Sequence, residues 1–166
     1  MVARSEIDRT LKSLSYKFRK TKEAKLKVFL AKLAIIEVCG WIEEAQDKVL
    51  ERALSRCVKE TANKKKFEKK LEDNSGMSYD GNFKLLVVSM VGYHGCERIE
   101  KACDRSKFGN FQRELNLFKK SRNSLAHTHV KGTQLRFDAP DKTIHNFDKV
   151  YDGLVEIESA MKRCGY

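Results

Sequence analysis

The chain has 166 residues, 41% of them hydrophobic and 34% charged, with 34 Lys and Arg against 23 Asp and Glu and a formal net charge of +11. That length suits one domain over residues 1–166 with a single core, and that composition suits helices with an apolar stripe and a charged outer face. A membrane-spanning chain is excluded, because the apolar run LAIIEVCGWI is too short and two glutamates follow it. The first 20 residues hold no apolar signal core. The five cysteines are odd in number and form no CxxC pair, which reads as reduced thiols in a cytoplasmic protein. The positive charge has two readings: a self-repelling surface, or a polyanion partner engaged by counterion release.

The predicted elements run as follows. Residues 5–20 place Ile7, Leu11, Leu14 and Phe18 at helical spacing, with Ser5 as a candidate N-cap. Residues 22–58 read as one long helix, with Leu26, Phe29, Leu30, Leu33, Ile36, Cys39, Gly40 and Ile42 at core spacing. Its middle is apolar almost all round, so the expectation is a buried central helix interrupted by Glu37, Glu43 and Glu44. A carboxylate beside a core needs a partner, and Arg122 is the candidate for Glu43. Residues 59–73 either extend this helix or form a short one of their own. They carry Lys64, Lys65, Lys66, Lys69 and Lys70, a solvated face or a run of phosphate contacts.

NSGMSYDGN is the clearest loop. FKLLVVSMVGYHG is expected to be helical up to a break at Gly92 or Gly95, and CERIEKACDR to form a separate short helix. The spacing of His94, Cys96 and Cys103 fits no standard zinc pattern, and neither a metal nor a cofactor is expected. Residues 111–126 form a clean amphipathic helix through Phe111, Leu115, Phe118 and Leu125. THVKGTQLRFDAPDK reads as a loop or short hairpin, and residues 141–163 as the closing helix. The sum is an all-α up-and-down bundle of about five helices, two of them long.

The stretch FKKSRNSLAHTHVKG concentrates Arg122, Asn123, Ser124, His127 and His129 in a chain with four histidines. Arg122 follows Phe118 by four residues and Leu115 by seven, which puts it on or beside the apolar stripe. A cation there calls for a carboxylate, a phosphate or a partner surface. RNA cleavage by its own 2′-hydroxyl needs a base, an acid and a cation for the phosphorane charge. His127 has the intrinsic pKa for proton transfer, Arg122 the permanent charge, and Asn123 the means to orient either. One chain supplies one such imidazole, or two if His129 takes part. A twofold dimer facing two copies across a shared cleft would supply both acid and base. The competing reading is that Arg122 and His127 cap and tie a helix end.

RNSLAH matches the pattern of the HEPN superfamily: an arginine, a polar residue directly after it, and a histidine within four to six residues. The helical order around it also resembles HEPN domains, most closely the RiboL-PSP-type branch and related compact prokaryotic members. The resemblance implies a metal-independent endoribonuclease, often a toxin of a toxin–antitoxin or phage-defence system, with a composite site at a homodimer interface. It implies Arg122 and His127 as the catalytic pair and Asn123 as their polar companion. It also implies a glutamate from the early helix, Glu43 first and Glu44 next, with Ser124 and His129 as accessory groups. The implied partners are RNA, a second copy of the chain and a cognate antitoxin protein. Some family toxins carry a tyrosine two residues after the histidine, where a partner adenylylates it; here that position is His129. Two alternatives stand beside this reading: a non-catalytic HEPN module that binds RNA or a protein, and a helical scaffold unrelated to nucleic acid.

Overall fold

The computed structural model describes residues 3–127 and 137–166. Among them there are six α-helices and no strand: α1 (Ser5–Lys20), α2 (Ala24–Cys57), α3 (Thr61–Glu72), α4 (Lys84–Ala102), α5 (Arg105–His127) and α6 (Pro140–Arg163). A single π turn, Tyr79–Phe83, leads into α4. The fold is all-α, with six helices where about five were expected, and residues 61–72 form a short helix of their own, one of the two arrangements open to them.

The helices start and stop for local reasons. The first turn of α1 carries Glu6 and Asp8, and its last turn carries Lys17, Arg19 and Lys20, so both ends complement the helix dipole. Ser5 is not its cap. Arg4 occupies the N-cap position, and no side chain caps the turn. Arg4 donates instead to Asp8 at 2.8 and 2.9 Å and to Asp148 at 2.7 Å. Its guanidinium also lies over the ring of Tyr151, 4.5 Å from the centroid, so one residue fastens α1 to α6. Pro140 begins α6, where its missing N–H costs nothing. Inside α4 the backbone turns at Gly92, whose φ of 74° is available to glycine. This is the break expected at Gly92 or Gly95, and a second helical segment beyond it, running to Ala102, takes in most of CERIEKACDR.

The centre is built by α2, α5 and α6 around Ile42, Leu50, Phe111, Leu115, Phe147 and Leu154, all fully buried. α5 and α6 run antiparallel and very close, since Phe111 meets Gly153 while Glu114 meets Lys149. A Cβ on Gly153 would fall 2.3 Å from that of Phe111. Only glycine permits this approach.

α2 corrects the sequence reading in one respect. Its buried face is Val28, Ala31, Ile35, Val38, Ile42, Ala45 and Val49. Leu26, Phe29, Leu33 and Ile36, placed in the core by their spacing, are instead 38–49% exposed. The helix carries two apolar stripes, and periodicity alone does not say which one the bundle covers. No helix among the described residues is long and apolar enough to cross a membrane.

Candidate functional site

α2 and α5 cross where Cys39 lies under Phe118, with the thiol 3.9 Å from the Phe118 carbonyl oxygen. One turn further along each helix stand Glu43 and Arg122. Arg122 Nη1 donates to Glu43 Oε1 at 2.5 Å. The two residues are 79 apart in sequence, so only the crossing brings them together. The side chains are 45% and 29% exposed, so the pair is open to solvent on one side. An ion pair in that setting contributes little to stability. What it does is fix the guanidinium, whose fork of donors is broad enough to hold a second anion beside the carboxylate.

Asn123 and Ser124 follow on the same turn and are exposed. His127 is the last residue of α5. Five residues separate it from Arg122, so the two positions stand roughly 140° apart around the helix. His129 lies outside the described residues, as do residues 128–136, where a loop or short hairpin is expected. Glu44 points away from this group and pairs with Lys48 at 2.5 Å.

The surroundings add features the motif did not disclose. Burial pushes the Cys39 thiol up to about 12, against the pull of Arg122, so it stays protonated and unreactive. Asp47, one turn past Glu43, is pushed up to about 6, first by burial and then by Glu51 and Glu43. Asp47 and Glu51 line a cleft of about 640 Å³ between α2 and α3, shared with Lys64, Glu68 and Glu72. The i, i+4, i+8 row of Glu43, Asp47 and Glu51 could have been read from the sequence as one acidic face.

No family model, curated protein or solved structure matches this chain.

The lysine run is dispersed by α3. Lys65, Lys66, Lys69 and Lys70 are exposed, whereas Lys64 is half-buried in the acidic cleft. α3 packs against α2 and α4. The basic face is therefore set beyond the acidic row of α2, as seen from Arg122. Among the described residues, no group of three His, Cys, Asp or Glu side chains converges to hold a metal ion. Burial raises the thiols of Cys96 and Cys103, with Glu100 adding to Cys96 and Glu156 to Cys103, which reaches about 12.

Proposed function

We propose that this chain is a metal-independent endoribonuclease, acting as a toxin or defence effector, that cleaves single-stranded RNA by attack of a 2′-oxygen on the adjacent phosphate. The observation that carries this reading is the half-exposed Arg122 guanidinium, fixed by Glu43 on a neighbouring helix. Asn123 follows it directly, and His127 closes the same helix. A pre-positioned cation aimed at developing phosphorane charge is the largest single contribution such a site can make. In this reading His127 moves a proton to or from the reacting oxygens, and Asn123 orients the phosphate. Lys65, Lys66, Lys69 and Lys70, with Lys64 at their edge, hold more distant phosphates. A homodimer is the active unit, its partner copy supplying a cation or proton-transfer group that one chain lacks. A cognate antitoxin protein would silence it.

A second reading, a non-catalytic module that binds RNA or a protein, has one observation in its favour. Arg122 already holds a carboxylate and ties α5 to α2 without any substrate.

The test is cleavage of a defined RNA by the purified chain. Cleavage is expected to persist in EDTA, to stop at a single 2′-deoxy position, and to leave 2′,3′-cyclic phosphate and 5′-hydroxyl ends. Abolition by EDTA, or cut deoxy-substituted strand, overturns the mechanism. RNA binding without cleavage selects the second reading. Loss of affinity with salt, flattened by neutralising the α3 lysines, would assign them to the RNA backbone.

A further inference from the structure

The outer face of α2 changes character along its length. Lys25 stands in its first turn, with Lys22 and the N-cap residue Glu23 just before it. Leu26, Phe29, Leu33 and Ile36 follow, an apolar ridge open to solvent. Gly40 comes next, where an added Cβ would meet nothing within 4 Å. The face then turns acidic at Glu43, Glu44 and Asp47, of which Glu43 also holds Arg122 and Glu44 also holds Lys48. Positions 26, 29, 33, 36 and 40 alternate steps of three and four, the spacing of a two-helix seam. A contiguous apolar ridge of this kind is seldom left bare on a chain that works alone.

The order of charge selects the occupant. A twofold interface must be complementary to itself. A basic end, an apolar middle and an acidic end satisfy that condition when two copies of one helix lie antiparallel. Glu23 at the N-cap offsets the dipole of α2, and the first turn itself carries no carboxylate, so Lys22 and Lys25 leave this end net positive. Parallel pairing would set like charge against like.

We propose that a second copy of this chain covers the ridge, with the two α2 helices antiparallel and the twofold axis between Leu33 and Ile36. In that register Leu33 meets the partner's Ile36, and Phe29 lies over the partner's Gly40, where the missing side chain leaves room for the ring. Lys25 comes beside the partner's Glu43 and the partner's Glu44. At 1.5 Å per residue, the two copies of Glu43 then lie about 25 Å apart along the seam. The two Arg122 motifs do not face each other across a shared cleft. Each is flanked by Lys25 of the partner subunit, which adds a second cation beside the Glu43–Arg122 pair. The pairing rests on α2 alone and does not require the ribonuclease reading.

The experiment is sedimentation velocity on the full chain, wild type against Leu33→Glu and Ile36→Glu, with circular dichroism as the folding control. Both positions are exposed, so both variants should keep their helix content. Wild type is expected to be a dimer at micromolar concentration, and each variant a monomer. A second arm sets the direction by mixing differently tagged Phe29→Cys and Gly40→Cys chains under mild oxidation, with the unsubstituted chain as control. Antiparallel pairing links unlike chains only. A wild-type monomer, a dimer that survives Leu33→Glu, or links between like chains would each overturn the proposal. RNA cleavage measured on the same samples reports on the ribonuclease reading separately.

Discussion

Glu114 on α5 and Glu43 on α2 each hold a cation from another part of the chain, but in opposite surroundings. Glu114 is enclosed between α5 and α6, with a side chain 3% exposed, and accepts from Lys149 at 3.3 Å and Arg113 at 3.1 Å. Glu43 shares one arginine with solvent. Burial makes the first cluster part of the architecture, because removing its cations would leave the enclosed carboxylate stranded. The second can be opened without disturbing the core. Similar chemistry thus serves two ends, and access to water separates them.

The largest expected effect falls on the buried side. Lys149→Ala should destabilise the chain by about 3 kcal/mol, since it leaves the buried Glu114 carboxylate with only the exposed Arg113. For a domain of this size that lowers the melting temperature by about 6–12 °C. A melting curve indistinguishable from wild type would erase the distinction drawn between the two clusters.

Glu43→Ala should do the reverse. It frees Arg122 to wander, so RNA cleavage should drop about tenfold or more, while stability changes by less than about 1 kcal/mol. Single-turnover cleavage and thermal melting on one preparation separate the two effects. An unchanged rate would mean that the carboxylate does not position the arginine.

The smallest effect is at Asp47. Its folded pKa of about 6 lies above the unfolded value of about 3.9. The folded chain therefore binds the proton more tightly, and the group opposes folding as pH rises through about 6. Asp47→Asn should raise the melting temperature of the dilute monomeric chain at pH 7 and leave it unchanged below about pH 4, where both states are protonated. A variant that melts lower at neutral pH would show that Asp47 holds a cation instead.

The helical class was legible because most helices bury one clear stripe. Ile7, Leu11 and Leu14 on α1 and Phe111, Leu115, Phe118 and Leu125 on α5 lie where their spacing placed them. α2 was misread at Leu26, Phe29, Leu33 and Ile36, because a helix with two apolar stripes has no single period to follow. Ser5 was misread because Arg4, reaching both Asp8 and Asp148, settles the start of α1 by tertiary contact, not by local capping. Arg122 and Glu43 stood out as an arginine on an apolar stripe and a carboxylate in an apolar run. The pairing expected between them is present, made by the α2–α5 crossing. The Asp47 cleft depends on how α3 folds back beside α2, and no local pattern encodes that.

The most direct test of the central claim is cleavage of single-stranded RNA by Arg122→Ala and Arg122→Lys, with melting temperature measured alongside. The account predicts that alanine costs at least about a hundredfold in rate. Lysine should rescue only part of it, having the charge without the fork, and both variants should melt within a few degrees of wild type. Wild-type cleavage by Arg122→Ala, or loss of fold in step with loss of activity, would show that the arginine only ties α5 to α2.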